Sequence, residues 1–187
     1  MKIAKGAVAP SFQAKTHDGQ PFDLAALRGQ KVWLAFYRFA SCPLCNYRVH
    51  ELLQRYREFE EAGIKMVGVF HSPEENIARF VGKQGPPFPL IADPERRLYR
   101  MYGVEPSVWA MFSMRNITTT FRALGAGIRP GRIDGPAHMV PADFLLDPEG
   151  LVYDSYYGAA LADHIPFERV NTFGADACLD MPEAAAG

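Results

Sequence analysis

The sequence predicts an α/β fold: a central mixed sheet flanked by helices, with an N-terminal β-hairpin and a helical insertion before a terminal hairpin. Three observations carry that prediction. Residues 31–37 and 64–70 are nearly continuous apolar runs, the pattern of strands covered on both faces. A long amphipathic stretch separates them, so their pairing is expected to be parallel. Near the end, residues 141–147 and 151–157 flank Pro148-Glu149-Gly150, which reads as strand, turn and strand.

The elements follow in order. Ala9-Pro10-Ser11-Phe12, the turn signal His17-Asp18-Gly19-Gln20 and Pro21-Phe22-Asp23-Leu24 suggest a short hairpin. Leu27 and Arg28-Gly29 suggest a brief helical turn before the first central strand. After that strand Tyr47, Leu52, Leu53, Tyr56 and Phe59 recur at helical spacing, and the helix should run to about Gly63. Ser72-Pro73-Glu74-Glu75 reads as a helix start, with serine as N-cap and acids in the first turn, and the helix should end before Gly85-Pro86-Pro87. Phe88-Pro89-Leu90-Ile91 is a short extended segment, and Asp93-Pro94-Glu95 caps a helix reaching Tyr102-Gly103. A helix from Trp109 to Leu124 and a Gly/Pro-rich loop to Pro136 are expected inside an insertion over 104–138, which is longer than an ordinary connection. A last helix is expected after Asp163. Residues 1–178 are read as one domain, and 179–187 as a disordered tail.

Composition narrows the class. With 187 residues, 48% of them hydrophobic and 22% charged, the chain can bury a sizeable core. A formal net charge of −1 gives no global argument for nucleic acid or a membrane surface as partner, although local arginine clusters stay open. Met1-Lys2-Ile3-Ala4-Lys5-Gly6 lacks the apolar core of a signal peptide, and no apolar run is long enough to span a bilayer, so a soluble cytoplasmic protein is expected. Three cysteines are too few for a secreted disulfide scaffold.

Two of those cysteines, Cys42 and Cys45, stand where the first central strand meets its helix. At such a junction the first turn brings the sulfurs together, and its free N–H groups favour a thiolate. That is the chemistry of a reversible dithiol/disulfide couple. The same pair can be half of a zinc site, completed by Cys178 and one of His71 or His138, but the chain has no second Cys-x-x-Cys. No cofactor and no metal are expected. Ser41, Pro43, Tyr37 and Arg38 are supporting candidates because ligands bind at the C-terminal ends of strands in α/β folds. Tyr37 can equally be packing. His138 is a candidate base near the sulfurs, with a loop or core histidine as the plainer reading. The insertion holds Trp109, Met111, Phe112, Met114 and Phe121, which can line an apolar pocket, form a dimer surface, or simply be core. Cys178 is expected to be a free thiol that turnover does not need.

Alternating helices and parallel strands, a closing hairpin and Cys-x-x-Cys at the first strand–helix junction describe a thioredoxin-like fold. The stretch F-Y-R-F-A-S-C-P-L-C also resembles the active-site segment of the peroxiredoxin (alkyl hydroperoxide reductase/thiol-specific antioxidant) family, where F-Y-P precedes T-x-x-C. A-P-x-F near the N-terminus, Gly68-Val69, Asp93 and F-L-L-D-P-E-G extend the resemblance, most closely to the family's Cys-x-x-Cys branch. It implies a thiol-dependent oxidoreductase cycling Cys42 and Cys45, with a disulfide or hydroperoxide substrate and a thioredoxin-like or glutathione-like thiol donor. A homodimer is left open. The alternative class is a non-catalytic module in which the pair binds zinc or senses redox state.

Two departures from the family pattern matter. Cys42 replaces the motif threonine, so Cys45 falls on the family's peroxidatic position. Pro141 stands where the family carries an arginine that helps polarise peroxide; Arg115, Arg122, Arg129 or Arg132 could fold back to supply that charge, and the sequence does not show which. V-P-A-D-F-L-L-D resembles instead the V-P-T-x-F-L-I-D of thioredoxin-like disulfide reductases, which implies a cis Val140–Pro141 bond facing the cysteines and Cys42 as the more exposed nucleophile.

Overall fold

The computed structural model describes residues 1–179, with the side chains of the last helix described as far as Asp176. The tail expected over 179–187 lies almost wholly outside the described residues, as does the Cys178 side chain. β1 (Gln13–Lys15) and β2 (Pro21–Asp23) form the N-terminal hairpin, and the chain then turns once through Leu24–Leu27. β3 (Lys31–Phe36), α1 (Pro43–Glu61) and β4 (Ile64–Phe70) make a parallel βαβ unit. α2 (Glu74–Arg79) leads to β5 (Leu90–Ala92) and α3 (Arg97–Met101). α4 (Met114–Gly125) belongs to the insertion, and β6 (Ala142–Leu146), β7 (Val152–Tyr157) and α5 (Phe167–Leu179) complete the described chain.

The five-stranded sheet has the order β5-β4-β3-β6-β7. β3 is its centre, parallel to β4 and antiparallel to β6, and every one of its residues is buried. Successive side chains point to opposite faces. Trp33, Ala35 and Tyr37 therefore enter one core with the cysteines, α1 and α5, while Val32, Leu34 and Phe36 enter the other with Tyr99 and Tyr102 of the α3 region. Coverage on both faces is why the strand reads as an unbroken apolar run.

Three element boundaries differ from expectation. α2 begins at Glu74 with Pro73 before it, because the Ser72 hydroxyl accepts the Ala40 N–H at 2.8 Å instead of capping. Asp93 does cap α3, accepting the N–H groups of Arg97, Leu98 and Tyr99, but the helix starts only at Arg97. The intervening turn ends on Arg96 in a left-handed conformation at φ 57°. In the insertion Ser113 is extended and its hydroxyl accepts the Arg115 N–H, so the expected single helix splits into a 3₁₀ turn at Trp109–Phe112 and α4. Among the described residues no helix is long and apolar enough to cross a membrane.

Candidate active site

β3 ends at Phe36, and Tyr37 to Cys42 carry the chain into α1 at the C-terminal end of the sheet. Tyr37 continues the strand: its N–H donates to Val69 at 2.9 Å, and its carbonyl accepts the Tyr99 hydroxyl at 2.7 Å. Its ring stacks on Phe70 with centroids 4.7 Å apart. The plainer reading of Tyr37, packing, is therefore the one its contacts support. Pro43 opens α1 at a position where no amide hydrogen is needed, and Cys42 is the N-cap residue in extended backbone.

Both sulfurs are buried, Cys42 at 1% and Cys45 at 0% exposure. Exposure therefore does not separate Cys42, expected to be the more exposed nucleophile, from Cys45, because the insertion covers the junction. What distinguishes the two is electrostatics. Arg38, itself buried, places Nη1 3.1 Å from Cys42 Sγ, and its Nη2 donates to the Ala137 carbonyl. Among the described residues no carboxylate pairs with this guanidinium. Burial pushes the Cys42 thiol up, but the hydrogen bond from the Cys45 thiol and the Arg38 charge together outweigh it. The first-turn N–H groups of Cys45 and Leu44 add to that pull, although neither closes a full capping hydrogen bond. The net result holds Cys42 down at about 6. Cys45 moves the other way, pushed well up by burial, by its donation to Cys42 and by the charge there. The Arg38 amide also faces Cys45 Sγ at 3.4 Å. The pair is a thiolate with a protonated thiol behind it.

The loop is held from several sides. The Asn46 amide donates to the carbonyls of Ala40 and Cys42 at 2.6 and 2.8 Å, and Gln84 in turn holds Asn46. The Ser41 hydroxyl donates to the Arg132 carbonyl at 2.6 Å, and the Gly131 N–H donates to Ser41. A Cβ on Gly131 would sit 2.6 Å from the Phe80 ring, and one on Gly135 would collide with the His71 imidazole. Residues 126–137 therefore form a tightly fitted cover over the cysteines.

The family model for AhpC/TSA matches residues 5–155. The chain belongs to the AhpC/TSA family. Among similar proteins, a putative peroxiredoxin of Mycobacterium tuberculosis is 33% identical over 102 residues, which cover 54% of this chain and 65% of the relative. Peroxiredoxin Bcp of Escherichia coli is 29% identical over 102 residues, with the same coverages of 54% and 65%. The chain thus spans between 48% and 65% of the length of the curated relatives it matches. A PrxQ mutant of Xylella fastidiosa superposes with a TM-score of 0.69 at 17% identity, covering 95% of this chain and 99% of that one, a likeness of fold. The thioredoxin-like α/β architecture expected from the sequence is therefore the one the AhpC/TSA chain adopts.

Other expected site residues are placed differently. Among the described residues no peptide bond is cis, so the cis Val140–Pro141 bond expected from the reductase-like motif is absent. Pro141 is buried in extended chain leading into β6; its carbonyl accepts the Gly158 N–H at 2.9 Å, and Met139 bridges to Pro106, which fixes the segment as a straight continuation of the strand. None of the four insertion arginines supplies the site charge by its side chain: Arg115 pairs with Asp163, and Arg132 contributes its carbonyl. His138 is half-buried, with its carbonyl accepting Ser107 N–H at 2.8 Å, and no hydrogen bond joins its ring to either sulfur. His71 is fully enclosed and burial pushes it down to about 4, so it is a neutral imidazole packed against Phe39 and Tyr99. Among the described residues there is no cluster of three or more His, Cys, Asp or Glu able to hold a metal.

Sequence reasoning missed Asn46, Ser72 and the glycines of the cover. Asn46, next to Cys45, carried a signal in its short amide side chain one turn into a helix. Ser72 was visible only as a cap, and the glycines carried no signal in sequence.

Proposed function

We propose that the chain is a thiol-dependent peroxidase in which Cys42 attacks a hydroperoxide and Cys45 resolves. One observation carries this reading: a buried guanidinium, without a carboxylate partner among the described residues, lies 3.1 Å from Cys42 Sγ. The Cys42 thiolate attacks the terminal peroxide oxygen, an S–O bond forms and the O–O bond breaks. The leaving alkoxide takes the Cys45 proton and departs as the alcohol. The Cys45 thiolate then attacks the sulfur of the Cys42 sulfenic acid, forming the disulfide and expelling hydroxide, which solvent protonates. A thiol reductant, thioredoxin-like or glutathione-like, returns the pair to the dithiol. Arg38 Nη1 stabilises negative charge at the start of this sequence and on the oxygens as it develops.

Reduction of protein disulfides is less well supported. Both sulfurs are buried, which suits a small oxidant, and the proline that would dock a substrate disulfide is trans. The test is single-turnover consumption of hydrogen peroxide by two variants. Cys45→Ser should consume one equivalent and accumulate a sulfenic acid, while Cys42→Ser should consume none. The opposite pattern would transfer the nucleophile to Cys45, and no consumption by the unmodified protein would reject the peroxidase reading.

A further inference from the structure

The insertion carries an apolar face that nothing among the described residues covers. Trp109 is 86% exposed, Phe112 77% and Phe121 71%. Along α4 the exposed Met114, Ile117, Phe121 and Leu124 recur at spacings of three and four, a single stripe of helix surface. The buried residues of that helix, Asn116 and Ala123, lie on another side, and α4 packs on α1. The stripe is thus not the face by which α4 joins the core.

Charge says what it fits. Between Glu105 and Asp134 the chain has four arginines and no acid. Arg115 is neutralised by Asp163, but Arg122, Arg129 and Arg132 are exposed and form no ion pair among the described residues. A two-fold contact with a second copy would bring together two copies of a segment that carries arginines and has no carboxylate between Glu105 and Asp134 to pair them. An anionic lipid surface satisfies both features, since aromatic and aliphatic side chains enter the headgroup boundary while arginines stay with the phosphates. We propose that residues 108–133 dock on anionic phospholipid membranes. The overall charge of −1 averages this local patch away, which is why composition alone argued for no membrane partner. The inference stands apart from the peroxidase reading, because it concerns binding and not turnover.

The chain provides its own probe. Of its two tryptophans, Trp33 is fully buried and Trp109 exposed, so an emission blue shift on adding vesicles reports Trp109. Vesicles of phosphatidylcholine with phosphatidylglycerol should shift the emission and sediment the full chain. Binding to phosphatidylcholine alone, or in high salt, should be weaker by ~10-fold or more. The triple variant W109S/F112S/F121S should lose binding, and Arg122→Glu with Arg129→Glu should lose it too while keeping the apolar face and the fold. If the apolar variant proves unfolded by circular dichroism, the wild-type titration and the arginine variant decide. No binding to the mixed vesicles, or equal binding to both compositions, overturns the proposal. So does a lipid-free dimer in analytical ultracentrifugation that the triple variant abolishes.

Discussion

A buried guanidinium without a carboxylate needs a counter-charge, because an unpaired charge in a dry interior costs several kcal/mol or more. For Arg38 that counter-charge is the Cys42 sulfur at 3.1 Å. The sign of the pH dependence follows: with the thiol held at about 6, Cys42 alkylation should rise as pH climbs through that value and level off above it. Arg38→Met removes the charge and keeps the bulk and the backbone N–H at Cys45. Its alkylation midpoint should move up from about 6, with the Cys45 hydrogen bond left in place, and the rate at pH 7 should fall, by at most about 30-fold for a midpoint that reaches an ordinary thiol's ~8.5. An unchanged profile in iodoacetamide kinetics would sink this role. The sequence marked Arg38 as a neighbour of the site and left open whether an insertion arginine folds back to supply the charge. Against the family pattern, Arg38 stands where F-Y-P has proline, and Pro141 where the family has arginine. β3 and β6 are adjacent, with Phe36 opposite Ala142, so the two positions sit at the same end of neighbouring strands. The exchange lies between neighbouring strands and not within one segment, so no local pattern in either segment announces it.

At the scale of elements, the parts read correctly from the sequence are those whose periodicity reflects burial within one segment: β3, α1, β4 and the terminal hairpin. The misread boundaries depend on partners far along the chain. Ser72 had the form of an N-cap, but its hydroxyl is used by Ala40 on the cysteine loop. The loop over 126–137 was legible as Gly/Pro-rich; its place over the sulfurs was not, since it is held by Ser41, Arg38 and Phe80. That fit makes the cover testable. A methyl group on Gly131 would meet the Phe80 ring at 2.6 Å and Ser41 Cβ at 2.8 Å. Overpacking of this kind costs ~1–3 kcal/mol, so Gly131→Ala should raise the open population by roughly 10-fold. Reaction of the cysteines with a bulky disulfide reagent should quicken by about the same factor, with α1 and the sheet intact by circular dichroism. If the reaction rate stays at the wild-type value, residues 126–137 do not limit access.

Across the whole molecule, the sheet, α1 and the approach to α5 meet at one buried carboxylate. Asp143 of β6 accepts from Trp33 Nε1 of β3 at 3.0 Å and from the Ile165 N–H at 3.0 Å, and lies 3.1 Å from His164 Nδ1. Arg48 of α1 donates to the Ile165 carbonyl at 2.5 Å and adds its charge nearby. Burial alone would push the Asp143 carboxyl up, but His164, Arg48 and the Ile165 amide hold it below the usual carboxylate range. The sequence offered Asp143 only as one polar residue in an apolar strand, because every group it ties lies elsewhere in the chain. Its folded pKa is depressed, so its contribution is full above the unfolded aspartate value of ~3.9 and is lost as pH falls through the lower folded one. Asp143→Ala leaves the half-buried Arg48 and the buried His164 without the carboxylate and should cost about 3–5 kcal/mol in urea melts at pH 7. Asp143→Asn can still accept from Trp33 and Ile165, and so separates shape from charge. If charge holds the layers, the asparagine variant should melt between alanine and wild type. Asparagine matching wild type would assign the junction to hydrogen bonding alone, with Arg48 held by the Ile165 carbonyl rather than by Asp143.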